Sequence, residues 1–111
     1  FITFSNESKI ELLGVSPANI EKLGAVSDVV ALEMAEGAIR ASAANVAISI
    51  TGIAGPTGGS REKPVGTVYI ACVTPEGTVV ERYNFTGSRE EIRNQSVDAA
   101  LALLWKKIQK L

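Results

Sequence analysis

Histidine is absent from the 111 residues, which excludes imidazole catalysis and His-ligated metal centres. A single cysteine, Cys72, rules out an intrachain disulfide and fits a reducing, cytoplasmic setting. The chain also lacks an excess of charge of either sign: 11 Lys+Arg stand against 12 Asp+Glu, a formal net charge of −1. Such a balance carries no electrostatic footprint for duplex nucleic acid or an anionic membrane. No apolar run spans a bilayer, because the uncharged stretch 41–60 is interrupted by Asn45, Gly52, Gly55, Pro56, Gly58 and Gly59. Leu, Ile and Val nevertheless recur throughout. At 46% hydrophobic and 21% charged, the composition is that of one ordinary globular domain. A chain of this length buries about 65% of its unfolded surface, enough for a single core.

The apolar pattern then orders the chain. Phe1-Ile2-Thr3-Phe4 has the aromatic and β-branched composition of a strand. The chain opens inside it, without Met or a signal-peptide n-region, so the expectation is a fragment with further sequence upstream. Ser5-Asn6 reads as a turn and Glu7–Leu13 as a short helix ended by Gly14. Ser16-Pro17 opens a second helix that Gly24 stops. Ser27 caps a longer one to about Ser42, with Val30, Met34, Gly37, Ala38 and Ala41 on its apolar stripe and Glu33, Glu36 and Arg40 toward water. Val46–Ile50 predicts a strand buried on both faces. Thr67–Val73 and Thr78–Phe85 predict a hairpin joined through Pro75-Glu76. Ser88-Arg89-Glu90-Glu91 is a capping box for the last helix. Its expected core face is Val97, Ala100, Leu101, Leu104, Ile108 and Leu111, with Lys106, Lys107 and Lys110 at the C-terminal end. The order β-α-α-α-β-β-β-α gives an α/β fold: a single-domain αβα sandwich with a mixed sheet.

The loop 52–66 follows the C-terminal end of a buried strand, where ligands of α/β sheets usually bind. Its glycines let backbone N–H groups approach an anion closely. It is neither a P-loop nor a dinucleotide fingerprint, since no Gly-Lys-Ser/Thr occurs and no helix follows at once. A ligand loop and an ordinary long surface loop both satisfy this pattern. Lys9, Lys63, Arg89 and Arg93 are the cations placed to meet a phosphate or carboxylate. An exposed surface Lys accounts equally for Lys9 and Lys63, and pairing with Glu90 one turn away accounts for Arg93. Without His, amide or ester hydrolysis needs another base, and Ser–Lys pairing is the available variant. The Lys must then be neutral, which requires burial or nearby positive charge. None of the nine Ser and seven Thr sits in a nucleophile elbow.

The ordered blocks Ser5-Asn6-Glu7-Ser8-Lys9, Leu13-Gly14-Val15, Gly24-Ala25-Val26-Ser27, Thr51-Gly52-Ile53-Ala54-Gly55-Pro56, Lys63-Pro64-Val65-Gly66-Thr67-Val68 and Gly87-Ser88-Arg89 carry a resemblance. Over its whole length, residues 1–111, the chain resembles the C-terminal domain of CinA competence/damage-inducible proteins, the nicotinamide-nucleotide amidase family. That resemblance implies hydrolysis of the carboxamide of nicotinamide mononucleotide to nicotinic acid mononucleotide and ammonia. It also implies an oligomeric, cytoplasmic enzyme that recycles a pyridine nucleotide without metal or cofactor. The family's nucleophile is a Ser activated by Lys, and Lys9 matches that Lys. Thr51 and Gly52 match residues that line the catalytic site. Phe4, Ser5, Asn6, Gly55, Lys63 and Arg89 match positions expected to bind substrate, Arg89 at its phosphate.

Two departures accompany the match. The family's nucleophilic Ser lies in an upstream Glu-Ser-Cys-Thr-Gly-Gly motif that this chain does not contain, nor does it contain the strand and helix that surround that motif. The family usually has Tyr before Ser-Asn-Glu, where this chain has Phe4. The alternative is therefore a non-catalytic nucleotide- or phosphate-binding module. The small residues Ala31, Ala35 and Ala38 offer a surface for close association with another copy.

Overall fold

A computed structural model describes residues 1–109. Four helices and three strands follow in the order α1 (Asn6–Leu13), α2 (Pro17–Leu23), α3 (Asp28–Arg40), β1 (Ala47–Gly52), β2 (Thr67–Thr74), β3 (Gly77–Asn84) and α4 (Arg89–Ile108). Each helix starts where a serine takes up an orphan backbone N–H. Ser5, Ser16, Ser27 and Ser88 accept from the backbone N–H of Ser8, Asn19, Val30 and Glu91. At Ser88 the box closes, because the Glu91 carboxylate receives the Ser88 N–H at 2.9 Å. Those hydrogen bonds hold the Glu91 carboxyl below its ordinary pKa. Gly14 ends α1 in the left-handed region at φ 67°.

The sheet runs β1-β2-β3, with Ile50 opposite Ile70 and Ala71 opposite Val80. β2 is the central strand and is buried along most of its length. On one face Val68, Ile70 and Cys72 pack against Ile92, Ala100 and Leu103 of α4. On the other, Ala71 meets Ala31 and Ala35 of α3. A third cluster of Leu13, Val15, Val30 and Met34 joins α1 to α3. Helices thus cover both faces of the sheet, the expected αβα layering. Gly37 permits the closest helix approach: a Cβ there would sit 1.8 Å from the carbonyl oxygen of Leu13.

Several local expectations give way. Ile2–Phe4 forms no strand, and Phe1, Ile2 and Phe4 are exposed. Strand composition stabilises only a chain with a ladder partner, and a cleft separates this segment from Ile48–Ile50 of β1. With that strand unpaired, the expected mixed sheet is antiparallel throughout the described residues. β1 is buried on one face rather than two. Ser49 and Thr51 turn inward, their hydroxyls donating to the carbonyls of Ala31 and Ala25, while Ile50 remains 38% exposed.

Of the expected face of α4, Ala100 is buried and Leu104 packs against the core, but Val97, Leu101 and Ile108 are exposed with Trp105, and Ile92, Ser96 and Leu103 are buried instead. The sequence offers two apolar stripes on this helix, and its docking against β2 selects one. Leu111 and Lys110 lie outside the described residues. On α3, Ala41 falls outside the buried stripe, and Glu33 is half-buried, accepting from Asn19 Nδ2 at 3.2 Å. Ala31 and Ala35, expected to serve association with another copy, are consumed inside the fold against Ala71.

Candidate active site

Segment 1–4, α1, the end of β1 and the first turns of α4 meet around a cleft of about 330 Å³. Its distinguishing feature is charge. Lys9, Arg89 and Arg93 line it and no carboxylate does, in a chain of net charge −1. Such a concave, singly signed lining concentrates field on an anion.

Lys9 comes from the middle of α1 and is only 7% exposed; it is the only charged residue in the interior among the described residues. Its Nζ donates to the Thr3 carbonyl at 2.6 Å. Burial pushes its ammonium below the ordinary lysine pKa, because desolvation penalises the charged form. Thr51 sits where β1 reaches the cleft, its hydroxyl fixed to the Ala25 carbonyl at 2.9 Å. Gly52 follows on the exposed rim, where a Cβ would stand 2.8 Å from Val68 Cγ2. Arg89, first residue of α4, donates Nη1 to the Gly55 carbonyl at 2.9 Å and so ties the glycine loop to the helix.

The structure thus brings Phe4, Lys9, Thr51, Gly52 and Arg89 together. It places the other matched residues elsewhere. Ser5 caps α1 and Asn6 is its exposed first residue; neither lines the cleft. Gly55 is buried behind the rim as the Arg89 acceptor. Lys63 is a tether, its Nζ bound to the carbonyls of Leu23 at 2.7 Å and Val26 at 2.6 Å. These bonds hold the long loop against the turn between α2 and α3.

Sequence reasoning missed one contributor and left another, Arg93, open between a ligand cation and a partner of Glu90. The Thr3 carbonyl orients Lys9, and no side-chain pattern signals a backbone acceptor. Arg93 lines the cleft four residues after Arg89, a spacing that puts both on one helix face. Ser96 also lines the cleft, but its hydroxyl is spent on the Ile92 carbonyl at 2.7 Å.

Residues 1–108 match the CinA C-terminal domain family, and the chain belongs to that family. Among its relatives is the nicotinamide-nucleotide amidohydrolase PncC of Escherichia coli K12. That protein is 48% identical over 96% of this chain and 65% of its own length. A CinA-like protein of Syntrophobacter fumaroxidans is 58% identical over 96% of this chain and 25% of its own. The chain therefore spans about two-thirds of the first relative and a quarter of the second. The crystal structure of competence/damage inducible protein CihA from Agrobacterium tumefaciens superposes with a TM-score of 0.92 at 42% identity, covering 96% of this chain and 66% of that one. No helix among the described residues is long and apolar enough to cross a membrane.

Proposed function

We propose that this domain takes part in hydrolysing the carboxamide of nicotinamide mononucleotide to nicotinic acid mononucleotide and ammonia. The observation that carries the reading is Lys9: a buried lysine with a lowered pKa, oriented by a backbone carbonyl, in a cleft whose charged lining residues are all cations. Its similarity to the amidohydrolase PncC supports the choice of substrate.

In this reading Lys9 is the general base for a Ser nucleophile supplied from outside the 111 residues. The Ser oxygen attacks the carboxamide carbon as Lys9 takes its proton. Lys9 then returns the proton to the departing nitrogen, releasing ammonia and leaving an ester on Ser. Water, deprotonated by the same amine, attacks the ester carbon; the Ser oxygen departs and takes that proton from Lys9, which frees the acid and restores both groups. Thr51 and Gly52 orient the amide, and Arg89 offers a guanidinium to the phosphate. Metal and cofactor have no part in this scheme. The working enzyme is placed in the cytoplasm as a homo-oligomer, with the nucleotide as its small-molecule partner.

Phe4 supports a second reading, in which the domain binds the nucleotide without hydrolysing it. The test is ammonia release from nicotinamide mononucleotide by the full-length protein, without added metal. Release that Lys9→Ala reduces by about 10²–10⁴-fold is expected. Binding without release would favour the second reading.

A further inference from the structure

The cleft holds more positive charge than a single base requires. Arg89 and Arg93 stand one turn apart on the same face of α4. Like charges at that spacing repel, so the helix gains nothing from the pair itself. Their surroundings differ. Arg89 has one N–H committed to Gly55. Arg93 makes no hydrogen bond among the described residues, although Glu90 lies one turn before it. Glu90 lines only the adjoining surface groove, which both arginines also border. Arg93 is moreover shared by the principal cleft and by the cleft between segment 1–4 and β1. It is an exposed, uncommitted guanidinium at the junction of these openings.

We infer that Arg93 is a phosphate-binding residue that forms, with Arg89, a two-guanidinium clamp for a phosphate monoester. A guanidinium presents its N–H groups as a planar fork that matches two phosphate oxygens. Two forks one turn apart reach more of a dianion than either alone. The Arg89–Gly55 bond holds one fork and the glycine loop in place, so the anion meets one pre-set and one adaptable arm. This assignment rests on the proposed nucleotide reading for the identity of the substrate, but only on the cleft for the anion itself.

The test is calorimetric titration of the full-length protein with inorganic phosphate, with nicotinamide mononucleotide and with nicotinamide riboside, which lacks the phosphate. Arg93→Gln is expected to weaken phosphate and the mononucleotide by about 10- to 100-fold, and to shrink the mononucleotide's advantage over the riboside by the same factor. Arg93→Lys is expected to recover part of the loss, because a point charge replaces the fork. Failure of the unsubstituted protein to bind phosphate would overturn the clamp. So would phosphate affinity within twofold of that protein in Arg93→Gln, or equal losses for the mononucleotide and the riboside. Ammonia release reports separately on the amidase: Arg93-dependent phosphate binding without release would retain the clamp and remove the amidase. Release with Arg93-independent affinity would do the reverse.

Discussion

The Nζ of Lys9 donates to the carbonyl of Thr3 at 2.6 Å, joining the middle of α1 to the extended segment before it. This contact suits a base. A neutral amine has two N–H groups and one lone pair, so one N–H stays on Thr3 while the lone pair is free to turn toward the cleft. Burial supplies the neutral form by disfavouring the ammonium. Geometry and electrostatics thus converge on one side chain.

The lowered Lys9 pKa has a defined sign in both activity and stability. Activity that requires the neutral amine rises with pH, with its inflection in kcat/KM below the ordinary lysine value of about 10.4. Between the folded and unfolded pKa values the unfolded chain binds more protons, so stability also rises with pH there. That contribution is complete above the unfolded value and is lost as pH falls through the folded one. Urea unfolding from pH 7 to 10 is expected to show this slope, and Lys9→Met to flatten it. An inflection at or above the ordinary value, or an unchanged slope in Lys9→Met, would remove the buried base.

Packing of α1 on α3 sets where Lys9 stands, and Gly37 is its closest point. Alanine ordinarily gains about 1 kcal/mol over glycine inside a helix. Here its Cβ would fall 1.8 Å from the Leu13 carbonyl oxygen, a backbone atom that gives way only if α1 moves. Overpacking of this kind costs about 1–3 kcal/mol. Gly37→Ala is therefore expected to lower the urea midpoint despite the better propensity, and to reduce activity as Lys9 shifts with α1. A raised midpoint would mean that the two helices separate freely.

The fold was legible where its causes are local. Ser16, Ser27 and Ser88 cap helices because the N–H they accept lies three residues away, and Gly14 stops one for an equally local reason. The face of α4 was legible only in part: Ala100 and Leu104 pack inward as expected, while Val97, Leu101 and Ile108 do not. Its sequence carries Val97, Leu101, Trp105 and Ile108 as one stripe and Ile92, Ala100 and Leu103 as another, and only the position of β2 decides between them. Ile2–Phe4 failed as a strand for a related reason: pairing depends on a neighbour, which composition does not specify.

The site divides in the same way. Lys9 and Arg89 were singled out by resemblance, and geometry then gave each a partner. Lys63 looked like a ligand-binding cation because its carbonyl acceptors, Leu23 and Val26, lie 40 and 37 residues away in the chain. Arg93 stood among the candidate cations, but Glu90 at helical spacing offered an ion pair that accounted for the charge without any ligand.

Phe4 gives the remaining prediction. Its ring is 84% exposed and borders both the Lys9 cleft and the opening beside β1. An added hydroxyl there displaces no core atom, so Phe4→Tyr is expected to alter stability by less than about 0.5 kcal/mol. Toward a bound nucleotide the same hydroxyl adds one hydrogen bond, worth about 0.5–1.5 kcal/mol. KM for nicotinamide mononucleotide is then expected to fall by about 2- to 10-fold. Because the hydroxyl touches only ligand, this gain should appear in steady-state kinetics and in direct titration alike. Equal affinity in the two proteins would make the ring, rather than its hydroxyl, the feature that matters at this position.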